Sequence, residues 1–170
     1  MELDFIYRRR SIRKFHPNPK ISNADFQELL TAAMSAPSAC AKDPWRFYVV
    51  RQPAMLEQIA AALPNGKFLP QAGNGIVVCG DLDRAHGNEL SYMLQDCSAA
   101  IENLLLAAGV KGFGACWLGV HPREERVAAL SRILKLSDKV IPLAVIAIGV
   151  PAEHQPPRNR YRAEAVQFID

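Results

Sequence analysis

The sequence predicts an α+β domain of three layers, with a central sheet covered by helices on both faces. Three observations predict it. Short apolar runs bounded by glycine or proline, above all residues 75–80 and 141–150, read as strands buried on both sides. Segments with helical apolar spacing lie between them, the longest over residues 89–108. A chain of 170 residues that is 49% hydrophobic can fill one sizeable core, and no repeat or linker divides it. Residues 1–170 are therefore read as a single domain.

Residues 3–9 read as a short helix with Leu3, Ile6 and Tyr7 on one face. Pro17 and Pro19 break the chain. Ser22 is a good N-cap for the next helix, and Asp25, three residues on, is its capping-box partner. Phe26, Leu29, Leu30 and Ala33 share the apolar face. Pro37 stops this helix, and residues 37–44 form a loop. Residues 47–50 are aromatic and β-branched and read as a strand. Pro53 suits the first turn of a helix running to about Ala62. Residues 63–74, with Pro64, Gly66, Pro70 and Gly73, read as irregular. Residues 75–80 follow as a buried strand. The helix over 89–108 is apolar on more than one side, and Gly109 is its stop. Residues 113–120 read as a glycine-punctuated strand. Pro122 starts a helix to about Leu134. Residues 141–150 read as a central strand with Pro142 at its start. Residues 151–157 are a proline-rich exit, and the final dozen residues an extended arm.

Composition excludes several classes. Twenty Lys and Arg against seventeen Asp and Glu leave +3, too weak a balance to argue for nucleic acid or a membrane surface. The basic residues cluster at Arg8, Arg9, Arg10, Arg13 and Lys14, and again at Arg158, Arg160 and Arg162. The N-terminus is acidic first and lacks a long apolar run, so no signal peptide is expected. No stretch approaches the roughly 18–20 apolar residues that span a bilayer. Cys40, Cys79, Cys97 and Cys116 form no Cys-x-x-Cys pair, and His16, His86, His121 and His154 make no ligand spacing. No metal site is expected. Three of the cysteines sit in apolar surroundings as small hydrophobes, and a reducing cytoplasm is the simplest compartment.

Four segments can carry chemistry. In residues 8–15, Arg-Arg-Arg-Ser-Ile-Arg-Lys-Phe, guanidiniums and a serine hydroxyl can cradle a dianionic phosphate. Taken alone, the run reads more readily as a solvated basic face. In residues 37–47 small residues between prolines permit close approach to a flat ligand, with Trp45 and Phe47 as anchors; a structural turn is the plainer reading. Residues 112–120 carry glycines that expose backbone N–H groups at a strand end. They lack the Gly-x-Gly-x-x-Gly spacing of a dinucleotide fingerprint, and a tightly packed strand reads the same. In residues 156–160, prolines hold the chain extended so that Arg158 and Arg160 share one face; an exposed basic tail reads the same. Glu89 and Asp96 share a helix face two turns apart, but nothing nearby marks a substrate site. Asp96 is read as structural, paired at an interface or a helix end.

Together, and in this order, the segments resemble the nitroreductase family of FMN-dependent enzymes over nearly the whole chain. The Arg-Arg-Ser-x-Arg segment stands at residues 9–13. Residues 37–45 are the counterpart of the family's Pro-Ser-x-x-Asn-x-Gln-Pro-Trp loop. Residues 95–108 resemble its central helix, residues 112–119 the strand that follows, and Gly149-Val150-Pro151 with Arg158 and Arg160 its closing segment. The resemblance implies a three-layer α/β/α fold with a mostly antiparallel sheet and a C-terminal extended arm. It implies that Arg9, Arg10 and Ser11, joined by Arg158 and Arg160, bind the FMN phosphate and ribityl chain. Arg13 is implied near the N1–C2 carbonyl edge, and Asn65 and Lys67 near the pyrimidine edge. Leu118 and Gly119 meet the ring through their backbone. Pro37, Ser38 and Ala39 line it from the partner subunit of a homodimer whose interface is built largely from the central helix. Two positions depart from the family: Ala41 stands where Asn is common and Asp43 where Gln is common. Asp43 adds a negative charge unless Lys42 or Arg46 offsets it.

The implied activity is transfer of hydride from NAD(P)H to a small-molecule acceptor such as a nitroaromatic or quinone, by a ping-pong mechanism. The hydride chemistry belongs to the flavin, so no catalytic side chain is expected. Positive charge from Arg13 or Lys67 favours the anionic reduced ring. Other reductions on the same fold (dehalogenation or ring reduction), a flavin-binding protein without fast turnover, and a basic adaptor for nucleic acid or phosphorylated partners are the alternatives.

Overall fold

The computed structural model describes residues 3–17 and 21–169; Pro19, read above as part of a chain break, lies outside them. The strands β1 (Trp45–Val50), β2 (Asn74–Asp81), β3 (Gly114–Gly119) and β4 (Val140–Gly149) form one sheet in the order β1-β2-β4-β3. Every neighbouring pair is antiparallel. The helices are α1 (Asp4–Arg8), α2 (Asn23–Met34), α3 (Pro53–Ala62), α4 (Leu69–Ala72), α5 (Leu90–Val110) and α6 (Glu124–Leu134).

The strands sort their side chains by the two-residue period of extended backbone. In β2, Ile76 and Val78 pack on one face with Phe26 and Leu29 of α2 and Ile101 and Leu104 of α5. Val77 and Cys79 pack on the other with Leu56 and Ile59 of α3 and Leu130 of α6. In β4, Ala144, Ile146 and Ile148 join the first group, and Val145 and Ala147 the second. This is the expected three-layer arrangement. Each fully buried Leu or Ile contributes about 1.5–3 kcal/mol to holding it.

The capping box at α2 forms as its sequence dictates. The Ser22 hydroxyl accepts the Asp25 N–H at 3.0 Å, and the Asp25 carboxylate accepts the Ser22 N–H at 3.1 Å. Elsewhere the structure corrects the reading. Residues 63–74 are not wholly irregular, because they contain α4, a single turn too short for periodicity to reveal. Gly109 does not stop α5, which runs on to Val110. Gly112 makes the reversal instead, with φ at 79°. The Phe113 N–H donates to Ala108 O at 2.8 Å and the Gly112 N–H to Gly109 O at 3.1 Å, the two bonds that close a Schellman turn. Pro122 lies in a turn ahead of α6, which begins at Glu124. Pro142 sits inside β4 opposite Cys79, next to a register shift that leaves Leu143 as the extra residue. That bulge accommodates the missing N–H. No helix among the described residues is long and apolar enough to cross a membrane.

The sheet ends on a pair of facing glycines, Gly114 and Gly149. Residues 11–16 lie across this end. The Ile12 N–H donates to Ala115 O at 3.0 Å, the His16 N–H to Val150 O at 2.9 Å, and the Ala152 N–H to Lys14 O at 2.9 Å. A Cβ on Gly114 would stand 2.8 Å from Ile12 Cγ2, and one on Gly149 would stand 2.5 Å from Ala72 O. The bare backbone at these two positions makes room for the N-terminal segment and for α4. Gly149→Ala, whose methyl meets backbone rather than a flexible side chain, should destabilise the fold by about 1–3 kcal/mol. Gly119→Ala, with nothing within 4 Å of its Cβ position, should shift stability by less than about 0.5 kcal/mol. Denaturation midpoints of the two variants check this.

Candidate functional site

A cleft of about 600 Å³ opens at the end of edge strand β3. Arg13 reaches it from the N-terminal segment, Asn65, Lys67 and Phe68 from the stretch between α3 and α4, and Leu118 and Gly119 from β3 itself. Phe15 and Phe68 stack with ring centroids 6.2 Å apart. Phe15 is buried, so the stack fixes the 65–68 stretch against the N-terminal segment. Five of the sequence-predicted residues, Arg13, Asn65, Lys67, Leu118 and Gly119, thus meet at one cleft.

Cys116 also lines the cleft, whereas Arg9 and Ser11 do not. Burial pushes the Cys116 thiol up from its ordinary value, while the charge of Arg13, a hydrogen bond from Ser11 and the charge of Arg9 pull it down. Arg9 and Arg10 themselves line a second, smaller hollow of about 240 Å³ with Glu153 and Gln155. Arg9 Nε lies 3.0 Å from Glu102 Oε1 on α5, and Arg10 donates to Pro156 O.

The terminal segments lie side by side, since the Arg158 N–H donates to Tyr7 O at 3.3 Å. The side chains of Arg158 and Arg160 are exposed, and they line neither hollow. Pro37, Ser38 and Ala39 do not line the cleft of their own chain. Their loop packs against α5, where the Ala39 N–H donates to Asp96 Oδ1 at 2.9 Å. Asp96 is buried, and its other oxygen has no hydrogen-bond partner. It lies within α5 and not at a helix end, and its partner is a loop amide of its own chain.

The same loop carries three non-glycine residues in the left-handed region, Cys40, Ala41 and Asp43, with φ of 51°, 51° and 49°. The Asp43 N–H donates to Ser38 Oγ at 3.0 Å, and the Ser38 hydroxyl donates back to the Asp43 carboxylate. Arg46 does not offset the Asp43 charge. It is committed to Asp81, its Nε 2.9 Å from Oδ2.

Two functional groups had no sequence signal. Arg126, in the first turn of α6, lines the cleft and donates from NH1 to Gly119 O at 2.9 Å. Glu153, in the proline-rich exit, accepts the Arg13 N–H at 2.6 Å and the Lys14 N–H at 3.2 Å. Those donors, the Arg13 amide first, hold the Glu153 carboxyl below its ordinary range.

The chain matches the Nitroreductase family over residues 6–67 and 59–150, and it belongs to that family. It is 43% identical to a protein of Archaeoglobus fulgidus named as an NADH dehydrogenase/NAD(P)H nitroreductase, over 90% of this chain and 87% of the relative. A solved structure of the same designation from Bacteroides thetaiotaomicron has TM-score 0.90 and 39% identity, over 98% of this chain and 95% of that one. A nitroreductase from Desulfovibrio desulfuricans, solved in complex with FMN, has TM-score 0.85 and 29% identity, over 99% of this chain and 96% of that one.

Two outcomes are expected. A carboxylate whose folded pKa is depressed stabilises above its unfolded pKa and loses that contribution as pH falls through the folded value. The Tm gap between wild type and Glu153→Ala should therefore narrow as pH drops below about 4, read by thermal melts across pH. Asn tolerates the left-handed region where Ala does not. Ala41→Asn should raise stability by up to about 1 kcal/mol, read by the denaturation midpoint.

Proposed function

We propose that this chain is an FMN-dependent oxidoreductase that carries hydride from NAD(P)H to a small acceptor such as a nitroaromatic or quinone, by ping-pong turnover. The observation that carries the reading is the convergence of Arg13, Asn65, Lys67, Leu118 and Gly119 on one cleft from three separate stretches of chain.

The donor set fits FMN. Arg13 and Lys67 on the cleft wall are cationic, as electron-rich ring carbonyls require. Gly119 leaves open space beside the strand end, so a flat ring can approach the backbone. Arg9, Arg10 and Ser11 would hold the phosphate and ribityl chain, with Arg158 and Arg160 joining from the exit segment. Arg13, Asn65 and Lys67 would face the ring edge. Bound FMN supplies the reversible hydride-carrying chemistry. Arg13 and Lys67 hold fixed positive charge where negative charge develops on reduction. Asn65 offers an amide donor and acceptor.

The working unit is a homodimer in the cytoplasm, with Pro37, Ser38 and Ala39 supplied to the ring by the partner subunit. Apolar surface supports a second copy. Leu90, Tyr92 and Val110 on α5 are exposed, as are Tyr161, Phe168 and Ile169 on the arm, and a two-fold partner would cover such side chains.

The purified protein should be yellow, release its flavin on boiling, and oxidise NADH or NADPH with nitrofurazone or a quinone as acceptor. Arg13→Ala should raise the FMN Kd roughly tenfold or more, measured by flavin fluorescence. A colourless protein that fails to take up added FMN would falsify the proposal.

A further inference from the structure

We infer that Arg126 is an anion-binding residue of the cleft, holding a carboxylate or phosphate of the molecule that exchanges electrons there. The inference rests on the reading of the cleft as an FMN site and adds to it the charge class of the second ligand.

Arg126 comes from α6, an element that supplies no other charged group to the cleft wall. Its position is fixed, because NH1 is tied to Gly119 O at 2.9 Å. Its Nε is closed off from solvent and has no hydrogen-bond partner. The guanidinium has thus lost part of its hydration without full replacement. The acid beside it is Glu125, whose Oε1 stands 4.0 Å from Nε and whose side chain is 73% exposed. A pair so long and so exposed neutralises little. Among the described residues, no carboxylate side chain lines the cleft. A partly desolvated cation without a good counter-ion attracts an anion more strongly than one in water.

Charge balance assigns that anion. The reduced ring carries at most one negative charge, and Arg13 or Lys67 matches it. The FMN phosphate belongs to the Arg9–Ser11 segment. The cleft wall still holds a surplus of positive charge, and Arg126 is the member tied to the strand end rather than to the N-terminal segment. An anionic second ligand uses this surplus. Two sources share that chemistry: the phosphates of a nicotinamide donor and the carboxylate of an aromatic acceptor.

The test uses FMN-loaded wild type, Arg126→Gln and Arg126→Lys. Gln keeps an N–H donor for Gly119 O, and Lys keeps the charge. Donors are NADH, NADPH and the uncharged N-benzyl-1,4-dihydronicotinamide; acceptors are 4-nitrobenzoate and the neutral 4-nitrobenzamide. Arg126→Gln should raise KM for the charged member of one pair roughly 10- to 100-fold more than for its neutral counterpart, and Arg126→Lys should keep most of the discrimination. An effect in the donor arm identifies phosphate, and one in the acceptor arm carboxylate. In wild type the charged-to-neutral KM ratio should rise with ionic strength, which tests the inference even if Arg126→Gln does not fold. Equal factors for charged and neutral ligands, a salt-independent ratio, or loss of FMN from Arg126→Gln overturns it. A protein that keeps FMN and turns over neutral ligands in those cases leaves the proposed function standing. A wild type that neither holds FMN nor oxidises any donor sinks the underlying reading instead.

Discussion

The cleft depends on one stretch of backbone, residues 11–16, clamped between the edge of β3 and the chain leaving β4. Ala115 O takes the Ile12 N–H on one side, and Val150 O and Ala152 N–H bond the stretch on the other. Ile12 and Phe15 are both buried in the apolar layer beneath, while Arg13 is exposed and lines the cleft beside Cys116. The Phe15–Phe68 stack then sets the position of the stretch that carries Asn65 and Lys67. Backbone hydrogen bonds and a buried ring stacked on a half-buried one thus place charged groups that could not hold such positions on long, flexible side chains alone. Glu153 strengthens the clamp where it is most exposed, by taking two successive amides at the turn of the segment.

Much of the fold is legible in the sequence because its signals are local. Ser22 and Asp25 sit three apart, and the capping box follows. The β2 and β4 runs are apolar without alternation, and both faces prove buried. The helix end at residues 109–112 misleads for a physical reason. A glycine is permitted at a left-handed position but does not demand one, and Gly109 lies inside the helix while Gly112 takes the positive φ. Gly114 looks like exposed backbone in the sequence, yet it and Gly149 serve close packing against Ile12 and Ala72. That role depends on contacts between distant parts of the chain, which no local window contains.

The site divides along the same line. Arg13 and Gly119 are legible because short motifs surround them. Arg126 is one arginine on an ordinary amphipathic helix, and only the approach of α6 to the end of β3 gives it a role. Arg158 and Arg160 show the limit of a local motif. Their motif brings the backbone beside α1 but leaves the side chains in solvent. The loop at residues 38–43 is legible as a loop but not as a strained one. Three left-handed non-glycine residues cost about 1 kcal/mol or more each, and such geometry persists only where the surroundings impose it. Here the surroundings are the Ser38–Asp43 clip and the buried carboxylate of Asp96.

That carboxylate gives α5 a double role. Glu102, on the same helix, holds Arg9 beside the cleft of its own chain. Asp96 holds the Ala39 amide of the loop, and in the dimer proposed above that loop serves the other subunit's ring. A rigid helix of 21 residues then spans both tasks. A shift of α5 in one subunit would move an arginine at one site and a ring-lining loop at the other. Two flavins in such a dimer would not sit in independent pockets, because the element that builds the interface is also the ruler that sets both sites.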